Sequence, residues 1–189
     1  MDSALIISCS EKNNQDLRKI LTEAAISEIT VIPTASEARR VLIEKDFDLI
    51  IVNTPLPDEF GESLARHIAE KKISEVILLV KAELFDEISH KVEEYGIITI
   101  AKPIGKALFW NALKIASAAH KRVKIIQNEN KKLVQKIEDI RIIDRAKCIL
   151  ISQLSFSEPE AHRYIEKQAM DLRVTRRKIA EEILKMYEN

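Results

Sequence analysis

Leu49-Ile50-Ile51-Val52-Asn53-Thr54-Pro55-Leu56-Pro57 sets four apolar residues in a row against a turn that holds two prolines. A strand buried on both faces of a sheet reads as such a continuous run, whereas a strand with one wet face alternates. Val76-Ile77-Leu78-Leu79-Val80 repeats the pattern. On either side of these two runs, short β-branched stretches alternate with amphipathic helical stretches from Ser3 to about residue 118. Strands are expected at Ala4 to Ser8, Ile29 to Ile32, Leu49 to Asn53, Val76 to Val80 and Ile97 to Ile100. Helices are expected near 13–25, 35–45, 61–71, 84–94 and 105–118. That order belongs to a parallel sheet with helices on both faces.

The expected fold is flavodoxin-like, and in such a sheet the chemistry sits beyond the carboxyl ends of the strands. The residues there are Asn53 to Pro57 with Gly61, then Val80-Lys81-Ala82, then Ala101-Lys102-Pro103. This set resembles a response-regulator receiver domain. The resemblance implies a phosphoryl-accepting Asp after the third strand, two acids after the first strand to hold Mg²⁺, and a Ser or Thr after the fourth. This chain departs at each place. Asn53 replaces the acceptor, and an amide is too weak a nucleophile for phosphoryl transfer. Cys9 and Ser10 replace the acid pair, or Ser8 and Cys9 if the alignment shifts by one, leaving Glu11 as the nearby acid. Hard Mg²⁺ requires several oxygen ligands with carboxylates among them. Lys81 takes the hydroxyl position and joins Lys102, so that two ammonium groups face an amide and would stand in for the metal or hold a small anion. A pseudo-receiver without phosphorylation chemistry is expected. Plainer roles are open as well: Lys102-Pro103 shapes a turn, and Lys81, Asp58 and Glu59 sit on exposed loops.

From about Ala119 to Asp144 no Pro or Gly interrupts a helix. Val123, Ile126, Asn130, Leu133, Ile137 and Ile140 recur at alternating spacings of three and four, a heptad seam with Val123, Asn130 and Ile137 at a and Ile126, Leu133 and Ile140 at d. A buried Asn at an a position fixes register in a parallel two-stranded coiled coil. A parallel homodimer is expected, the alternative being a stripe that packs on the chain itself. The linker cations Lys121, Arg122, Lys124, Lys131, Lys132 and Lys136 read as a solvated face.

The tail shows helical periodicity in three segments. The first places Ala146, Ile149, Leu150 and Leu154 on one face. The second starts at Ser157, where a capping box with Glu160 is expected around Pro159. The third starts near Thr175 and buries Ile179, Ala180, Ile183 and Leu184. Its first turn carries Arg176, Arg177 and Lys178, against the helix dipole's preference for anions. Ile143-Asp144-Arg145-Ala146-Lys147-Cys148-Ile149-Leu150, Glu160-Ala161, Ala169-Met170 and the block from Arg176 to Leu184 together resemble the ANTAR domain, a three-helix RNA-binding module.

The resemblance implies that the protein binds tandem stem-loops in leader transcripts and prevents transcription termination, commonly as a dimer reading two hairpins. Arg145, Lys147, Arg173, Arg176, Arg177 and Lys178 are the candidate phosphate contacts, with Tyr164 or an Arg plane stacking on loop bases. A regulatory protein that sequesters the dimer is a further partner implied by the family. The family often has Gly where this chain has Cys148, so closer packing of the first tail helix is expected to be altered there. Two other readings use the same residues: a helix-turn-helix that binds DNA, and an interaction scaffold.

Composition fits this organisation. The chain has 189 residues, 30 cationic and 30 acidic side chains, and 3 glycines. From residue 141 onward ten Lys and Arg face eight Asp and Glu, so no strong basic field marks the tail. Cys9 and Cys148 lie in different expected domains, and no disulfide, metal site or cofactor is expected. His67, His90, His120 and His162 form no catalytic spacing, and no glycine-rich phosphate loop appears, so an enzyme is not expected. The apolar run at the N-terminus is too short for a signal peptide or a membrane span, and a cytoplasmic location is expected. The expected architecture is an α/β flavodoxin-like receiver over 1–118, a coiled-coil linker over 119–143 and an all-α three-helix domain over 144–189.

Overall fold

The computed structural model describes residues 1–71 and 73–187. Five parallel strands, β1 (Ser3–Ile7), β2 (Glu28–Ile32), β3 (Leu49–Asn53), β4 (Glu75–Lys81) and β5 (Ile98–Lys102), pair in the order β2-β1-β3-β4-β5. Helices α1 (Glu11–Glu23), α2 (Ala35–Glu44), α3 (Glu62–Glu70) and α4 (Phe85–Val92) alternate with them, and α5 (Lys106–Leu154), α6 (Glu158–Asp171) and α7 (Arg176–Tyr187) follow. Two compact units result, Met1–Lys124 and Ile125–Asn189.

The first unit follows from the period-2 alternation of its strands. Ile50, Val52, Val76, Leu78 and Val80 turn toward one face and pack with Leu64, Ile68, Ile88 and Val92 of α3 and α4. Leu49, Ile51, Ile77, Leu79 and Ile100 turn toward the other and pack with Leu17 and Leu21 of α1 and Phe109, Leu113 and Ala116 of α5. Because both faces are covered, β3 is buried along its whole length. Gly61 precedes α3 with φ 101°, and a Cβ there would lie 3.0 Å from Val52 Cγ1, so a side chain at this position would meet both backbone strain and a tight contact.

No boundary interrupts α5 after Gly105. The sequence-based divisions at 118 and 143 fall inside this one helix, whereas the compact units divide between Lys124 and Ile125. Ala119 to Lys124 stay with the first unit because His120 is buried there, its Nε2 3.2 Å from Asp48 Oδ1. Asp48 Oδ2 also accepts from the Asp2 and Ser3 amides.

The second unit is built on the end of α5 with α6 and α7. Its core contains Leu150, Ile165, Ile179 and Ile183, interleaved with Ala146, Ala161, Ala169 and Ala180. The alanines let the helix backbones approach, so a small number of large aliphatics fills the space between them. Ser155, at φ 56°, ends α5, and the Phe156 amide reaches back to the Leu150 carbonyl at 3.4 Å. Leu154 therefore sits at the helix end and is exposed, unlike its expected place on the buried face. Glu160 closes a capping box over Ser157, its carboxylate accepting from the Ser157 amide at 2.8 Å and the Ser157 hydroxyl at 2.6 Å. Thr175 Oγ1 accepts from the Lys178 amide at 3.3 Å at the start of α7. Cys148 is exposed, so the thiol that replaces the family's glycine does not enter this core.

Candidate functional site

The carboxyl ends of β1, β3, β4 and β5 bring one polar cluster together in the first unit. Ile6 and Ile51 face α1 and α5, so the next residues on that face are Ser8 and Asn53. Asn53 Nδ2 donates to Ser8 Oγ at 2.9 Å, and both residues are buried. Lys102 Nζ donates to Asn53 Oδ1 at 2.8 Å and to the Thr54 carbonyl. The chain thus closes a Ser8–Asn53–Lys102 relay where the resemblance places an acceptor carboxylate.

Ser8 rather than Ser10 faces Asn53, which corrects the alignment chosen from sequence in favour of the one shifted by a residue. Ser10 is the N-cap of α1, and its amide donates to Ser8 Oγ at 3.2 Å. Cys9 is exposed. Ser8, Cys9 and Asn53 offer a divalent cation no carboxylate, so this donor set does not fit Mg²⁺. Among the described residues no three of His, Cys, Asp or Glu are grouped to hold a metal ion.

Lys81 is exposed and pairs in register with Lys102 at the ends of β4 and β5. Burial and the neighbouring Lys81 charge push the Lys102 ammonium below its ordinary range. Asp58 and Glu59 do more than coat a loop. Asp58 accepts from the Ala35 amide at 3.0 Å and from the Ser36 amide and hydroxyl at 2.8 Å, which holds its carboxyl down to about 2. Glu59 takes Arg39 in a two-oxygen contact at 2.8 and 3.0 Å. Together they tie the β3–α3 loop to α2.

In the second unit the candidate cations are distributed unevenly. Arg177 Nη1 donates to Asp139 Oδ1 at 2.8 Å and its Nε to Glu181 Oε1 at 2.8 Å. Arg176 Nη1 donates to Glu166 Oε1 at 2.9 Å. Lys147 Nζ contacts Asp144 at 2.8 Å and Glu158 at 3.0 Å. Glu166, Asp139 and Glu181 offset the unfavourable placement of Arg176 and Arg177 at the N-terminus of α7; the first two lie 10 and 38 positions away in sequence, and Glu181 one turn along the same helix. Arg173 adopts φ 54° between α6 and α7 and is exposed, as is Lys178. Arg145 is also exposed and engages neighbouring groups. Tyr164 packs edge-on against Phe156, with ring centroids 5.7 Å apart, and remains partly exposed.

A groove of about 880 Å³ runs along this unit, with Ile140, Ile143, Ala169, Met170 and Val174 in its wall and Lys136, Asp139, Glu166, Arg176 and Arg177 at its polar margin. Sequence reading did not anticipate it, although the exposed Met170 beside a buried Ala169 marks the helix edge that forms it. Of the heptad seam, Ile126, Leu133, Ile137 and Ile140 lie in this unit, and each exposes more than half of its surface. Asn130 between them is also exposed. Val123 lies in the first unit and is 38% exposed. Among the described residues no helix is long and apolar enough to cross a membrane.

Comparison with known proteins matches residues 131–184 to the ANTAR domain. Over 169 residues the chain is 24% identical to a protein of Mycobacterium tuberculosis described as transcriptional regulatory protein PdtaR, covering 89% of this chain and 82% of that protein. The signal receiver domain of an HD domain-containing protein from Pseudomonas fluorescens Pf-5 superposes with a TM-score of 0.56 at 22% identity, covering 65% of this chain and 91% of that one. The response regulatory domain of mrkE from Klebsiella pneumoniae gives 0.56 at 16% identity, covering 64% and 98%. The first unit therefore has the receiver fold, and the second contains an ANTAR domain.

Proposed function

We propose that this chain, a response regulator that joins a receiver fold to an ANTAR domain, is a dimeric RNA-binding transcription antitermination regulator whose receiver does not accept a phosphoryl group on aspartate. The observation that carries the reading is the ANTAR match over 131–184, which includes the exposed seam residues Leu133, Ile137 and Ile140 and most of the helix that begins with Arg176 and Arg177. Transcriptional regulation is also what the description of the mycobacterial relative states of that protein.

RNA contact on this surface is an exchange of partners. Exposed ion pairs such as Arg176–Glu166 contribute roughly 0–1 kcal/mol each, so an incoming phosphate displaces the carboxylate at small cost. Phosphate contacts position the protein, and unpaired loop bases stacking on Tyr164 or on an arginine plane supply the discrimination. Dimerisation covers Ile126, Leu133, Ile137 and Ile140, apolar side chains whose exposure in a single chain leaves unburied surface worth about 25 cal/mol per Å². Two tails on one coiled coil then meet two hairpins on one transcript.

The receiver reading rests on Ser8, Cys9 and Asn53. Asn53 lacks a nucleophilic carboxylate, and Lys102 is bound to it as an amide partner. No catalytic activity is assigned to either unit.

Titration of the full chain against a tandem-hairpin RNA, a single hairpin and a DNA duplex over a salt series tests this reading. Preference for the tandem hairpin at physiological salt is expected. Equal or tighter binding to the duplex would replace the proposal with a DNA-binding helix-turn-helix, and binding to none of the three would remove the nucleic-acid function.

A further inference from the structure

The strand-end cluster of the receiver carries charge without a counter-ion. Lys81 and Lys102 are register partners on neighbouring parallel strands, so their side chains leave the sheet on the same face. Lys102 donates to two neutral oxygens, Asn53 Oδ1 and the Thr54 carbonyl. Lys81 has no hydrogen-bond or ion-pair partner among the described residues. Asp16 of α1 borders a cleft beside Lys102 and forms no ion pair with it.

An ammonium group has three N–H donors. Two of those on Lys102 are used, which leaves one, and Lys81 contributes its own three. Buried charge without a partner is unfavourable, and two like charges side by side add to the penalty. Paired cations at the ends of β4 and β5, one of them partly buried and neither ion-paired to a carboxylate among the described residues, are matched by a multiply charged anion with several acceptor oxygens.

We propose that Lys81 and Lys102 form a reversible binding site for a small phosphate-type oxyanion, held at the carboxyl ends of β4 and β5 without a metal ion. The anion bridges the two ammonium groups while Asn53 and Thr54 keep Lys102 in place from the other side. Binding is noncovalent, and no bond to the protein is made or broken. The site deepens the reading of a receiver without aspartyl chemistry. Its failure and the failure of that reading give different signals.

The test follows the Asn53 side-chain amide by ¹H–¹⁵N NMR of the full chain as inorganic phosphate is added at constant ionic strength with chloride. Saturable movement of that resonance is expected, with affinity at least about tenfold weaker in Lys81→Met, which removes one of the two charges and keeps the stem. The Lys81 side chain is exposed, so the variant folds. Sulfate is expected to compete and acetate to bind more weakly. An unmoved resonance, an equal response to chloride, an unchanged affinity in Lys81→Met or tighter binding of acetate would overturn the oxyanion site. Dependence on added Mg²⁺ would overturn its metal-free form. A covalent phosphoryl mass increment after incubation with a small-molecule phosphodonor would instead overturn the reading that the receiver accepts no phosphoryl group.

Discussion

Arg177 in the first turn of α7 donates to Asp139 on α5, Nη1 to Oδ1 at 2.8 Å, across 38 positions of sequence. Glu181, one turn further along α7, holds the Nε of the same guanidinium at 2.8 Å. The guanidinium draws the Asp139 carboxyl below its ordinary range, and the two acids raise Arg177 in turn. The cation is thus held between two carboxylates. Removing one acid releases a charge toward phosphate. Asp139→Asn is expected to tighten binding to a tandem-hairpin RNA roughly two- to fivefold at fixed salt, while Arg177→Ala weakens it and lowers the slope of log K against log salt by about one. Fluorescence anisotropy over a salt series measures both. Weaker binding by Asp139→Asn would show that the pair orients Arg177 productively and does not restrain it.

Ser8 and Asn53 form a buried neutral pair, 1% and 5% exposed. Ser8→Ala leaves Asn53 Nδ2 without its acceptor and is expected to destabilise the receiver unit by about 1–3 kcal/mol, read from urea denaturation. Asn53→Asp restores an acceptor carboxylate beside Lys102 but not the two acids after β1. Mass spectrometry after incubation with a phosphodonor and Mg²⁺ is expected to show no adduct on this variant.

His120 supplies a pH dependence. Burial lowers its folded pKa, and Lys124 acts in the same direction, while Asp48 and Asp2 oppose them. The unfolded chain therefore binds more protons than the folded one between the lowered value and the ordinary 6.5. Stability from this group is complete above that ordinary value and is lost as pH falls through the window below it. Burial pushes the Asp48 carboxyl up, but the Asp2 and Ser3 amides and His120 outweigh it, so its contribution is lost only at more acidic pH. Thermal unfolding of the receiver unit is expected to shift downward as pH falls below about 6.5. His120→Gln is expected to flatten that change.

The core of the second unit depends on its large aliphatics. Ile165 is 1% exposed and packs in one core with Ala146, Ala161, Ala169 and Ala180. Ile165→Ala is expected to cost about 2–5 kcal/mol, seen as loss of the second unit's transition while that of the receiver unit persists.

Ile137 exposes 53% of its surface in the single chain and occupies an a position of the seam. Ile137→Glu is expected to lower the sedimentation coefficient toward that of a monomer without lowering helix content.

The sheet was legible because β3 and β4 are apolar without alternation, and the observed β3 has the expected bounds. Within α5 the stretch from Ala119 to Asp144 was legible as uninterrupted helix, but its allocation between units depends on His120 meeting Asp48, a contact 72 positions apart that periodicity does not carry. The Ser8 placement was within reach, since alternation from Ile6 and Ile51 puts Ser8 and Asn53 on one face. The pairing of Arg176 with Glu166 and of Arg177 with Asp139 was not, because those acids lie 10 and 38 positions away and charge counting along the tail does not record which cation each one meets. Asp58 gave no local sign that it would bind the amides at the start of α2.

The most direct test of a dimer reading paired hairpins is the stoichiometry of the complex. Native mass spectrometry or sedimentation velocity of the full chain with one two-hairpin RNA is expected to give two chains per RNA, and Ile137→Glu is expected to reduce the population of that complex. One chain per two-hairpin RNA, or two chains binding independently and equally well to separate single hairpins, would contradict it.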